Sequence, residues 1–228
     1  MEIRQTDENM RDPLTKLYKR SYAKQLIQEF LKKQSCSEYA GFLILDIDNF
    51  AILNEKMGNA FGDAILKNIA ADIETLFYSS DVLGRVGGDE FVILMKNIKS
   101  VDDIDKKIKE IQKVISRTYI GETMNFGSTV GVGASVFPID GVDYDVLYEK
   151  AEKALFHAKG AGKNCYGFYD AENEKRYKEY KLEEKHIKIQ EAEKHHKELG
   201  VASSDSLIEL AFKLIEESKD TDSAINLL

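Results

Sequence analysis

The chain has 228 residues, of which 43% are hydrophobic and 32% charged, with a net charge of −8; this is ordinary globular composition, enough for one good-sized domain plus an extension, and the acidic balance excludes a protein that coats nucleic acid with a basic surface. The polar Met1 to Met10 stretch is no secretory signal and no apolar run approaches the ~20 residues of a membrane span, so the expected location is the cytoplasm. Cys36 and Cys165 lie far apart in no metal or redox spacing and read as reduced thiols.

In chain order, Leu14, Leu17, Tyr18, Tyr22, Leu26, Ile27, Phe30 and Leu31 keep helical spacing. They predict a first helix starting at Pro13 with Asp12 as its cap. The apolar run from Gly41 to Leu45 predicts a buried strand ending in Asp46-Ile47-Asp48-Asn49-Phe50. The stretch through Asn54, Gly58, Asn59 and Gly62 reads as a loop, and Ile65, Ile69, Ile73, Leu76 and Phe77 mark a second helix. Val82 to Val86 and Phe91 to Met95 flank Gly87-Gly88, a hairpin signal in which a tight turn asks for the positive φ that glycine supplies. Helices over 101–118 and 143–160, a glycine-containing β segment over 126–137 and a closing strand over 166–169 complete a core in the order α β α β β α β α β, without internal repeats.

From Ala171 the chain turns into a dense mix of Lys and Glu. It reads as a solvated helix or a coiled-coil linker that sets dimer geometry. Leu207, Leu210, Ala211, Leu214 and Ile215 predict one more amphipathic helix, and the apolar end at Ile225 to Leu228 suggests the start of a further, truncated domain. The expected division is a domain over 1–170 and a helical extension over 171–228.

Acidic residues sit at two chain reversals. Asp46 and Asp48 end the first core strand, and Asp89 and Glu90 follow the hairpin glycines. Neighbouring strand ends converge, so Asp46 can face the Asp89–Glu90 pair. Grouped carboxylates repel unless a cation lies between them, and hard oxygen donors at a partly hydrated site suit Mg²⁺. Taken singly, each pair is also plain turn chemistry.

Five separated segments carry a resemblance. Asp12-Pro13-Leu14-Thr15-Lys16-Leu17 is similar to a D-x-L-T-G-L pattern, and Asp46-Ile47-Asp48-Asn49-Phe50 runs on to Asn54-Glu55, Gly58 and Gly62-Asp63. Arg85-Val86-Gly87-Gly88-Asp89-Glu90-Phe91 follows, then Thr129-Val130-Gly131-Val132, like an S-x-G-x strand, then Ala154 to Asn164, similar to A-L-Y-x-A-K-x-x-G-R-N. Together, from Asp12 to Tyr169, they resemble the GGDEF (diguanylate cyclase) family.

The resemblance implies an α+β fold: an antiparallel palm-like sheet of the nucleotide cyclase or ferredoxin-like kind, flanked by helices, here with a C-terminal helical extension. It implies a diguanylate cyclase, in which the 3′-oxygen of one GTP attacks the α-phosphorus of another and pyrophosphate leaves. A homodimer then has to bring two sites face to face to make cyclic di-GMP. Gly87 and Gly88 would let the turn approach GTP without a side chain in the way. Asp46, the carbonyl of Ile47, and Asp89 would hold Mg²⁺ or Mn²⁺, and Glu90 would complete the metal and 3′-hydroxyl environment, with Asp89 and Glu90 as the catalytic pair. Asn54 and Asp63 would read the guanine edge, Phe50 and Leu17 would wall the base, and Lys159 and Lys163, one helical turn apart, would reach the phosphates. Plain alternatives stand beside these roles: Asp63 as a helix N-cap, the lysines as partners of a helix C-terminus, Leu17 as core.

The match has departures. Lys16 stands where the family has glycine, Lys19 where it has asparagine, Ala51 for a lysine, Asn59 for a histidine, and Lys163 for an arginine, which keeps the charge and loses the bidentate fork. None removes a metal ligand or the two glycines. They lean toward an alternative in which a catalytically silent GGDEF domain binds GTP as a regulatory module. The family's product-inhibition motif, R-x-x-D, keeps Asp81 but has Tyr78 in place of the arginine, so inhibition by cyclic di-GMP through this site is not expected.

Overall fold

The structure, a computed structural model, describes residues 9–35, 38–120 and 125–171. Its elements are β1 (Tyr18–Lys19), α1 (Arg20–Leu31), β2 (Tyr39–Ile47), α2 (Phe50–Met57), α3 (Asn59–Leu76), β3 (Val82–Arg85), β4 (Glu90–Ile98), α4 (Val101–Ile115), β5 (Arg117–Ile120), β6 (Asn125–Ser128), β7 (Val130–Phe137), α5 (Tyr144–Ala161) and β8 (Tyr166–Phe168). The chain divides into two compact units, Met1–Tyr177 and Lys178–Leu228, and every described residue lies in the first. The expected Lys/Glu-rich helix, the further domain and Cys36 lie outside the described residues.

Six strands form one sheet in the order β1-β3-β4-β2-β7-β8. The central four are antiparallel, and the short edge strands β1 and β8 pair in parallel with β3 and β7. This mixed sheet flanked by five helices is the expected palm-like α+β fold. β5 and β6 make a separate two-stranded ribbon.

The near-continuous apolar run of β2 follows from its central place, because both of its faces are covered. Successive side chains point to opposite faces. Leu43, Leu45 and Ile47 join Ile65, Ile69 and Ile73 of α3 and Ile104, Ile108 and Ile111 of α4 in one core cluster. Phe42 and Ile44 join Ala23 and Ile27 of α1 and Tyr144, Leu147 and Leu155 of α5 in the other. Phe42 is fully buried, with its ring edge-on to Tyr144 at 5.5 Å and to Tyr148 at 6.2 Å. Its truncation to alanine would cost about 3–5 kcal/mol.

Four expected elements differ. Asp12 does not cap a helix at Pro13. Its Oδ1 accepts hydrogen bonds from the Thr15 amide (2.8 Å) and hydroxyl (2.7 Å), closing a turn, and the helix starts only at Arg20. Lys16 at φ 66° interrupts any helix there, and the apolar stripe divides between two surfaces, Leu17 in one core cluster and Ala23 and Ile27 in the other. The stretch after Phe50 is not a loop but two helices hinged at Gly58, whose φ is 82°. The helix expected over 101–118 ends at Ile115, and Arg117 to Ile120 is strand, in line with its Thr, Tyr and Ile. Finally, the hairpin turn spans four residues, Val86 to Asp89, and neither glycine in it takes a left-handed φ. A longer turn spreads the reversal over more torsions, so the expected tight-turn reason for Gly87 and Gly88 does not apply.

Candidate active site

The site grows from the end of β2. Asp46 is in register with Glu90 of β4 on one side and with Gly131 of β7 on the other. Directly opposed residues on antiparallel strands share a face, with Cβ atoms roughly 5 Å apart. The two carboxylates therefore stand together on the face covered by α5. Asp89 follows from the hairpin tip, which is tied to β2 by a hydrogen bond from the Ile47 amide to the Asp89 carbonyl (3.3 Å).

This crowding is visible in the acidities. Burial pushes the Asp89 carboxyl above its ordinary range, and the charge of Asp46 adds to the push. Burial likewise raises Glu90, helped by the charges of Asp46, Asp89 and Glu152. Tyr148 on α5 senses the same charge: burial and then Glu90 raise its phenol to about 12. Such a cluster is a place where positive charge is favoured.

One cation already lies there. The ammonium of Lys159 on α5 forms an ion pair with Asp46. It arrives by a path the sequence prepares. β7 presents Gly131 and Gly133 to α5, and a Cβ on Gly133 would overlap the Ala151 carbonyl, so the helix can lie close to the sheet. A Cβ on Gly131 would come within 3.3–3.4 Å of the Lys159 stem and 3.1 Å of Leu155. The smooth glycine strand is thus the channel along which Lys159 reaches the carboxylates.

Among the described residues, no three His, Cys, Asp or Glu side chains converge as a ready-made metal cage. The donor chemistry still fits a hard divalent ion. Mg²⁺ commonly takes one or two carboxylates and completes its shell with water and phosphate oxygens, and an ammonium on Asp46 is the stand-in expected of a cation-seeking site.

The hairpin tip is held from beneath. Arg85 donates two hydrogen bonds to the Gly88 carbonyl, at 3.1 Å from Nε and 2.6 Å from Nη2, while its Nη1 meets Asp12 Oδ1 at 3.1 Å. One guanidinium therefore clamps the Asp12 turn to the signature turn. Burial opposes ionisation of Asp12, but hydrogen bonds from Thr15 and Arg85 outweigh it and hold the carboxyl below its ordinary range. A Cβ on Gly87 would sit 2.8 Å from Glu90 Oε2 and so press on the tip of that side chain, whereas a Cβ on Gly88 would stand in open space. Gly87 makes way for Glu90, and Gly88 keeps the outer surface of the turn bare.

After the strand end come α2 and α3. Phe50 and Leu53 of α2, with Leu17, are buried in the core cluster. The Oδ1 of Asn54 is buried without a hydrogen-bond partner, and a Cβ on Gly62 would collide with it. An orphaned buried polar atom is one that a water or a bound group can satisfy. Asp63 stands exposed in the second turn of α3. It does not cap that helix, which begins at Asn59, so the N-cap alternative falls.

The two lysines are placed differently from expectation. Lys159 is in the last turn of α5, but the helix ends at Ala161, Gly162 breaks it at φ 134°, and Lys163 projects exposed from the turn beyond. They do not share one helix face. At the other end of the sheet, Tyr78 is 81% exposed, and Asp81 is occupied by the amides of Tyr78 (3.0 Å) and Lys96 (2.9 Å).

Sequence reasoning missed Arg85 as a clamp, Glu152 as a neighbour of Glu90, and the buried Asp48 and Gln112 with their partner Thr129. Gln112 carried a legible signal, a polar residue one turn after Ile108 and beside Ile111 on an otherwise apolar face.

The family model for the diguanylate cyclase GGDEF domain matches residues 9–165. The chain is 33% identical over 160 residues to diguanylate cyclase DgcS of Shewanella oneidensis, covering 69% of this chain and 52% of that protein. It is 29% identical over 159 residues to diguanylate cyclase A of Treponema denticola, covering 67% and 42%. The chain thus spans about half the length, or less, of these curated relatives. Among solved structures it is similar to the isolated GGDEF domain of YfiN from Pseudomonas aeruginosa, with a TM-score of 0.69 at 24% identity over 74% of this chain and 99% of that one. It is also similar to the coiled coil and GGDEF domain of DgcB from Caulobacter crescentus in complex with c-di-GMP, with a TM-score of 0.63 at 21% identity over 73% and 90%. At these identities the structural likeness is one of fold.

Proposed function

Since the chain belongs to the diguanylate cyclase GGDEF domain family, we propose that it condenses two GTP molecules into cyclic di-GMP and two pyrophosphates. The observation that carries this reading is the register of Asp46 with Glu90, with Asp89 on the adjoining tip and Lys159 drawn to Asp46. Asp46, the Ile47 carbonyl, Asp89 and Glu90 would hold Mg²⁺ or Mn²⁺, which when bound would lower the pKa of a 3′-hydroxyl and offset the charge of the leaving pyrophosphate.

The chain's own groups do the positioning. Phe50 and Leu17 wall the base, while the orphaned amide of Asn54 and the carboxylate of Asp63 accept from the guanine edge. Gly87 and Gly88 leave space for the nucleotide over the turn. Lys163 meets the triphosphate, and Lys159 joins it once released from Asp46. Each site holds one GTP, so ring closure needs two copies of the chain facing each other. The described residues include no helix long and apolar enough to cross a membrane, and the reaction is read as a cytoplasmic one.

The departures at Lys16, Ala51 and Asn59 favour a second reading, a silent domain that binds GTP as a regulatory module. Incubation with GTP and Mg²⁺, followed by mass-resolved chromatography, separates the two. Cyclic di-GMP from the wild type, reduced about 10²–10³-fold in Glu90→Gln, is the expected result. Bound GTP without product, even after artificial dimerisation, would instead establish the regulatory module.

A further inference from the structure

Asp48 is not one of the carboxylates gathered around Glu90. It is 7% exposed, and its Oδ2 accepts two hydrogen bonds, from the Thr129 hydroxyl at 2.6 Å and from the Asn164 amide at 2.8 Å. The Asp48 amide in turn donates to the Thr129 carbonyl at 2.9 Å. Asn164 has φ 54°, the left-handed conformation that asparagine tolerates better than most residues. Its carbonyl is held from the other side by Gln112 Nε2 at 2.7 Å, and the same nitrogen reaches the Val130 carbonyl at 3.4 Å. Val132 completes the frame by donating to the Cys165 carbonyl at 3.0 Å.

The peptide groups on both sides of Asn164 are thus captured by buried side chains from two distant elements: a carboxylate after β2 and a carboxamide on α4. Lys163 is the residue immediately before. A buried carboxylate accepting an amide and a hydroxyl is a strong, charge-assisted arrangement. For a surface turn this is more restraint than chain reversal needs, because Gly162 already reverses the chain at φ 134°.

We propose that Asp48 and Gln112 are positioning residues for the nucleotide's phosphate end. By gripping Asn164 they set where the Lys163 ammonium stands, and they fix it relative to Asp46, two residues before Asp48 on the same strand end. This rests on the reading that Lys163 meets the triphosphate. The second acidic residue of the Asp46-x-Asp48 pair then acts through the backbone of another loop.

The test compares binding of α,β-methylene-GTP and of GMP, in the presence of Mg²⁺, to the wild type, Asp48→Asn, Gln112→Leu, Thr129→Ser and Lys163→Met. The expected result is a loss of roughly tenfold for the triphosphate analogue in Asp48→Asn and Gln112→Leu, the size of one charge-assisted contact, with GMP affinity unchanged. Thr129→Ser keeps the hydroxyl and should bind like wild type. Combining Lys163→Met with either positioning variant should add no further loss, because both act on one contact. Gln112→Leu carries the test where Asp48→Asn unfolds. Equal losses for GMP and the triphosphate, an unchanged ratio of the two, or additive losses with Lys163→Met would each overturn the inference while leaving the nucleotide reading intact. A wild type that binds neither ligand would overturn both.

Discussion

Lys16 occupies a position whose backbone prefers glycine. Its φ of 66° places the Cβ near the following carbonyl, which costs an L-residue about 1–2 kcal/mol. The turn keeps this shape because it is tied on both sides: the Lys16 amide donates to the Asp12 carbonyl at 2.9 Å, and its carbonyl accepts from Arg11 at 2.8 Å. Glycine also loses more freedom on folding, about 0.5–1 kcal/mol, so Lys16→Gly should gain about 0.5–1 kcal/mol net. Thermal unfolding should then shift upward by about 1–4 °C, and an unchanged or lower midpoint would show that the turn is not strained. A second residue-scale prediction concerns Gly62. A methyl group there must displace the Asn54 amide, so Gly62→Ala should raise the KM for GTP about tenfold with the circular dichroism spectrum unchanged. An unaltered KM would remove Asn54 from base recognition. Both positions were marked in the sequence only by resemblance, and the φ and the collision supply the physical reasons.

Between elements, the clearest coupling is the guanidinium of Arg85, shared by the Asp12 turn and the Gly88 carbonyl. Because the folded carboxyl of Asp12 is held below its ordinary value, its contribution is present above about pH 4 and is lost as the pH falls through the depressed folded value. Asp12→Asn should therefore be less stable than wild type by roughly 1–2 kcal/mol at pH 7, and the gap should close in strong acid, once the pH has fallen through the depressed folded value. Denaturant titrations at the two pH values check this, and a gap independent of pH would mean that shape, and not charge, is what Asp12 contributes. How far such elements could be read in advance depended on their reach. β2, the β3–β4 pair, α5 and the closing strand followed from apolar runs and helical spacing, which are local. The break at Lys16, the two helices around Gly58 and the strand from Arg117 did not, because each is set by a specific side-chain or pairing contact that hydrophobic periodicity does not report. Arg11 and Asp12 hold the first, Asn54 against Gly62 the second, and the pairing of Thr118 with Gly127 the third.

For the whole molecule, the proposed reaction sets a requirement that one copy cannot meet. A single site presents one GTP, so the initial rate per chain should rise with protein concentration in the range where two copies associate and level off above it. A rate per chain independent of concentration across a hundredfold dilution would mean that the assembly is already complete, or that ring closure does not need a second copy; sedimentation at the same concentrations distinguishes these. The acidic pairs and the signature turn were legible because their residues are close in the sequence. That Asp46 faces Glu90 also followed from converging strand ends; that Lys159 enters the same small volume did not, since it depends on β7 lying beside β2 and on a glycine strand beneath α5. The ion pair between Lys159 and Asp46 bears on the search for inhibitors. A fragment library screened against the metal-free protein meets a floor where Lys159 is paired with Asp46 and the Asp89 and Glu90 carboxyls stay acidic, and so selects cationic and uncharged compounds. The same library screened with Mn²⁺ meets a floor where that ammonium is displaced, and so selects chelators. Two such screens should return different chemotypes from one site.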